Sequence, residues 1–75
     1  MITLDSLSEK YFTLRHSLLL LKCSREAHEI AHYYAACCGF LYALQELDVV
    51  TSSEEIALCD ELNSILESRL IKIEP

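Results

Sequence analysis

Two histidines and a glutamate fall within little more than one helical turn, in the segment His28-Glu29-Ile30-Ala31-His32. Residues four apart project from the same side of a helix, so the two imidazoles can converge on one zinc ion. The glutamate beside the first histidine would then be placed to take a proton from a zinc-bound water. Zinc needs a third protein ligand for that chemistry. If the chain forms an antiparallel helical hairpin about the Asp48 to Ser53 connection, residues whose numbers sum to about 99 face each other, which brings Glu67 to His32. The candidate metal set is therefore His28, His32 and Glu67, with His16 as a further donor if the first helix packs back on the second.

The segment resembles the HExxH signature of the zincin metalloproteases. That resemblance would make His28 and His32 the zinc ligands and Glu29 the general base. The extended metzincin signature is not continued, because Ala35 stands where that pattern has Gly and Cys38 where it has its third His. A protease also needs a substrate cleft, an oxyanion stabiliser and a rigid shell around the metal. A chain of 75 residues with this helical composition supplies little of these. The sequence thus favours a protein that is not an enzyme and holds no cofactor, with zinc binding as the alternative reading. The four cysteines add no metal motif. At about 100° per residue, Cys37 and Cys38 point away from the histidine pair. Adjacent cysteines inside a helical pattern would strain a bridge, and all four cysteines are expected as reduced, small core residues.

Two or three helices must position these groups, three if the chain breaks at Ser24, with the last two as an antiparallel hairpin. Ser6-x-x-Glu9 has the form of a capping box, and behind it Leu7, Tyr11, Leu14, Leu18 and Leu21 recur at spacings of four and three, predicting helix one over about 6–22. Ser24 is the candidate cap of helix two, about 25–47. That helix carries a seam of Ile30, Tyr34, Cys37, Leu41 and Leu44, and beside it a stripe of small residues, Ala27, Ala31, Ala35, Gly39 and Ala43. Small residues four apart let another helix approach closely. Thr51 and Ser52, each followed three residues later by Glu, cap helix three, about 52–71. Its expected seam is Ile56, Cys59, Asn63, Leu66, Leu70 and Ile73, flanked by Leu58, Leu62 and Ile65. Asn63, the polar member, is expected at an edge facing solvent or as a buried amide that fixes register between chains.

Composition sets the class. With 52% hydrophobic residues, one Gly and one Pro, the chain fits an all-α single domain rather than a disordered or turn-rich one. The first ten residues lack the pattern of a secretory signal, and Ile30 to Leu44 is shorter than the roughly 18 to 20 apolar residues that span a bilayer. A cytoplasmic protein without membrane association is expected. Its net charge is −6, and between Glu26 and Ser68 there is no Lys or Arg. Binding to a phosphate backbone needs cations along the contact surface, so a nucleic-acid partner is disfavoured.

Ile30 to Leu44 is apolar on every side of a helix, whereas a domain of this size buries only about 60% of the surface its unfolded chain exposes. That imbalance predicts a partner, first of all another copy of the chain: a helical bundle completed as a homodimer or higher oligomer. Leu14, Leu18, Ala31, Tyr34, Ala35, Cys38, Gly39, Leu41 and Tyr42 are the expected self-association residues. Glu54, Glu55, Asp60 and Glu61 are an expected acidic face for a second protein, and the overall expectation is a small regulator, adaptor or inhibitor. The layout resembles the dimeric helical hairpins of the plasmid Rop family in architecture, without a matching RNA-contacting face.

Overall fold

The computed structural model describes residues 2–73, which form four helices: α1 Leu4–Lys10, α2 Phe12–Cys23, α3 Ala27–Glu46 and α4 Ser52–Ile73. The expected helix one is two helices, so two or three helices become four. Its start lies earlier than Ser6. Thr3 is the N-cap, with its side chain accepting from the Ser6 amide while the Ser6 side chain serves the Thr3 backbone. The break falls at Tyr11, whose backbone is extended at φ −119° and ψ 108°. Tyr11, Phe12 and Thr13 all come from the weaker part of the helix-propensity scale, so interrupting the helix there costs little. In return α1 folds against both α2 and α4, burying Leu4 and Leu7, while the Tyr11 ring meets Phe40 edge to face at 5.6 Å. A seven-residue helix is unstable alone, so tertiary packing holds α1 in place.

Ser24 ends a helix instead of starting one. Its amide and hydroxyl both donate to the Leu20 carbonyl, the hydroxyl at 2.6 Å, and the N-cap of α3 is Glu26, which makes no side-chain cap bond. The far end of α3 closes with a Schellman motif. Val49 N–H reaches the Leu44 carbonyl at 2.9 Å and Asp48 N–H the Gln45 carbonyl at 3.1 Å, with Asp48 in the left-handed region at φ 60°. Thr51 then opens α4 through a reciprocal capping box with Glu54, at 2.8 and 3.1 Å. The chain reverses here, and α4 returns along α3 with Gln45 bonded to Ser52 and Tyr34 to Asn63, a register two residues short of the expected one.

Helix α3 is central, packed between α2 and α4, in a body of 41 × 21 × 17 Å. The core runs along it: Leu14, Leu18 and Leu21 from α2, Ile30, Cys37, Leu41 and Leu44 from α3, Val50 from the turn, and Leu58 and Leu62 from α4. The expected α4 seam is therefore rotated. Leu58 and Leu62, read as flanking residues, are fully buried, whereas Ile56 is 62% exposed and Asn63 faces solvent. Leu66 and Leu70 are half-buried, and the side chain of Ile73 lies outside the described residues. Because α1 adds Leu4 and Leu7 to the core, α4 turns toward the α1–α2 side as well as toward α3.

Candidate interaction face

The packing consumes part of the expected self-association set. Leu14, Leu18 and Leu41 are buried in the chain's own core, at 0%, 3% and 0% exposure, so they cannot anchor a second copy. Tyr34 and Cys38 are half-buried along the α3–α4 seam. Ala31, Ala35, Gly39 and Tyr42 remain on the outer face of α3, and Ala27 and Ala43 extend that stripe. A methyl group added at Gly39 would meet no side chain within 4 Å, so nothing in the same chain presses on this position. Tyr42 is 60% exposed, and Ile56 is an exposed apolar residue of the neighbouring helix α4. Thus α2 and α4 cover most of the apolar Ile30 to Leu44 run and leave one shallow face lined by small residues.

Beside this face the α3–α4 seam carries a polar and thiol cluster. The Tyr34 hydroxyl donates to the Asn63 side-chain oxygen, which gives Asn63 a partner within the chain. Burial first, and then the Cys38 thiol, hold the Tyr34 phenol above its usual pKa. Burial pushes the Cys37 thiol up to about 11, with Cys38 adding to the effect, and raises Cys59 as well. Raised thiol pKa values disfavour the reactive thiolate, in keeping with the reading of these cysteines as packing residues. All four cysteines are free, but Cys23, at the end of α2, is exposed and is not the core residue expected.

The histidines do not assemble the expected metal set. His28 lies beside Glu26, with its Nε2 at 3.3 Å from the carboxylate, and both side chains are largely exposed. Among the described residues, the group of His, Cys or carboxylate side chains whose donor atoms come together, within 4.8 Å, is Glu26, His28 and Glu29. Neither His32 nor Glu67 belongs to it. His32 packs edge-on against Tyr33 at 5.2 Å, and His16 stacks on Phe12 at 5.9 Å. Two histidines on one helix face converge only if both rotamers turn inward, and here each ring is engaged by a neighbour of its own. These residues therefore do not fit the zincin arrangement, in which Glu29 would act on a water rather than share the ligand cluster.

The expected acidic face also divides. At 100° per residue Glu54 and Glu61 share one side of α4, while Glu55 and Asp60 lie on others. Glu54 is spent on the Thr51 cap, and Glu61 accepts from the Leu4 amide at 3.3 Å, satisfying a free donor in the first turn of α1. These two carboxylates hold helix ends as well as contributing charge.

The structure defines a small all-helical domain with one unpartnered small-residue face on its central helix. No helix among the described residues is long and apolar enough to cross a membrane. Comparison with known proteins finds no matching family model, no matching curated protein and no matching solved structure.

Proposed function

We propose that the protein is a small acidic interaction module that works as a homo-oligomer, with the outer face of α3 as its self-association surface. One observation carries the reading: Ala31, Ala35 and Gly39 form an open ridge at helical spacing on the exposed side of α3, bordered by the exposed Tyr42. Helices pack at interaxial distances of about 8–10 Å, and small side chains favour the close end of that range. An exposed Gly in a helix interior costs about 1 kcal/mol relative to Ala, a cost that is offset where a partner helix needs the missing methyl. Function then follows from assembly: a second protein is bound by the oligomer, in a cytoplasmic regulatory, adaptor or inhibitory role.

Native mass spectrometry and sedimentation of the wild type and Gly39→Leu test this reading. The wild type should be a dimer or larger. Since no side chain lies near Gly39 in its own chain, the leucine should fold normally yet shift the protein to monomer. A wild type that stays monomeric at high micromolar concentration, or an unchanged mass in Gly39→Leu, would sink it.

A further inference from the structure

The charge pattern of the sequence becomes a spatial pattern at the end of the molecule away from the α3–α4 turn. Lys22, in the last turn of α2, and Arg69 and Lys72, near the end of α4, line one open cleft of about 390 Å³ with Ser64, Ser68 and Ile65. Three of the chain's six basic residues thus meet in one place, and among the described residues no carboxylate lines the cleft, in a protein of net charge −6. The fold produces the opening. Helix α1 packs on α2 and α4 near Glu61, where the Leu4 amide is bonded, and the part of the α2–α4 groove beyond it, toward Arg69, is left uncovered.

Helix dipoles account for Lys22 and Lys72 one at a time, because each lies in a last turn where positive charge is favoured. They do not account for the convergence. Like charges from two helices repel across a shared cleft unless an anion lies between them. Arg69 sharpens the point: one guanidinium nitrogen is fixed by the Ser24 carbonyl, while its buried Nε has no hydrogen-bond partner among the described residues. Ser64, Ser68 and Lys72 lie four apart on one stripe of α4. Ser64 already donates to the Asp60 carbonyl at 3.2 Å, which leaves Ser68 as the hydroxyl donor.

We propose that this cleft binds a phosphate group, with Lys22 and Lys72 supplying charge from its two sides, Ser68 a hydrogen bond, and Ile65 an apolar contact for whatever carries the phosphate. A phosphate offers several acceptor oxygens to cationic donors arriving from different directions, the arrangement found here. No lining residue comes from α3, so the site is independent of the association proposed above.

The test is an amide NMR titration of the full chain with inorganic phosphate and, separately, phenyl phosphate, at constant ionic strength set by sodium chloride. Saturable shifts are expected at Lys22, Ser68 and Lys72. Tighter binding of phenyl phosphate would assign the cleft to an organic phosphate, and tighter binding of the inorganic ion to free phosphate. Lys72→Gln, an exposed position whose change spares the fold, should weaken binding about tenfold through loss of a charge-assisted contact. Lys10→Gln makes the same charge change on α1 and should leave binding unaltered. Shifts that do not saturate, that chloride alone reproduces, or that the two variants weaken equally would overturn the site.

Discussion

Arg69 of α4 donates a hydrogen bond to the backbone carbonyl of Ser24, the residue that closes α2. The contact joins the end of the last helix to the joint between the second and third, across 45 residues of sequence. Charge-assisted hydrogen bonds contribute about 1.5–3 kcal/mol. Arg69→Leu retains most of the apolar stem packing but removes the donor, and should lower the unfolding free energy by an amount in that range. Urea denaturation followed by circular dichroism would show it. An unchanged midpoint would mean that the α2–α3 joint is held without Arg69.

The rotation of α4 gives a paired prediction. Leu62 is fully buried and Ile56 is 62% exposed, although simple periodicity assigns them the opposite roles. Leu62→Ala should cost about 2–5 kcal/mol and Ile56→Ala within about 0.5 kcal/mol in the monomer. Equal costs in thermal unfolding would restore the seam expected from periodicity. Where Ile56 contributes to association, its substitution should reduce oligomer mass without lowering monomer stability.

How much of this was legible in the sequence depends on whether local chemistry or tertiary packing decides each feature. The all-helical character and the Thr51–Glu54 cap follow from residue types at fixed short spacings, and the structure contains both. The break at Tyr11 has only a weak local signal, three poor helix formers without Gly or Pro, and is decided by the burial of Leu4 and Leu7 against distant α4. Ser24 illustrates the same limit: a serine between two helical patterns suits the end of one as well as the start of the next, and its bond to the Leu20 carbonyl selects the former. In α4, apolar residues at both phases of the repeat leave the buried phase open until α1 is placed. The basic cleft was beyond reach, since Lys22 and Arg69 are far apart in sequence and meet only through the folding back of α4.

Gly39 separates folding from assembly. As an exposed helical glycine with nothing near its missing side chain, it should yield about 1 kcal/mol of monomer stability on replacement by Ala. If a partner helix packs on the ridge, the same Gly39→Ala change should weaken association. Opposite signs in thermal unfolding of dilute protein and in a sedimentation isotherm are the expected outcome. Gains in both would mean that no helix approaches this face closely.

Asp48 holds a left-handed backbone at φ 60° in the Schellman closure of α3. Gly adopts that conformation freely, whereas a β-branched residue does so at a cost of about 1–2 kcal/mol. Asp48→Gly should therefore be neutral or slightly stabilising, and Asp48→Val destabilising by about 1–2 kcal/mol. Comparable melting temperatures for the two variants would show that the turn does not require this conformation.

Cys37 predicts how stability depends on alkaline pH. Its thiol is buried and its pKa is raised from 9.0 to about 11 in the folded chain. Below 9 both folded and unfolded states hold the proton, and the stability associated with the neutral thiol is fully present. Between 9 and 11 the unfolded chain has lost the proton while the folded chain retains it, so stability falls as pH rises. The loss is on the order of 2 kcal/mol by the top of that interval, and the raised pKa values of Cys59 and Tyr34 act in the same direction. Cys37→Ala removes this titration at the cost of a small cavity, so the variant should be less stable at pH 7 yet decline less steeply above pH 9. Chemical denaturation at a series of pH values compares the two slopes. Parallel declines would show that Cys37 ionisation does not govern alkaline unfolding.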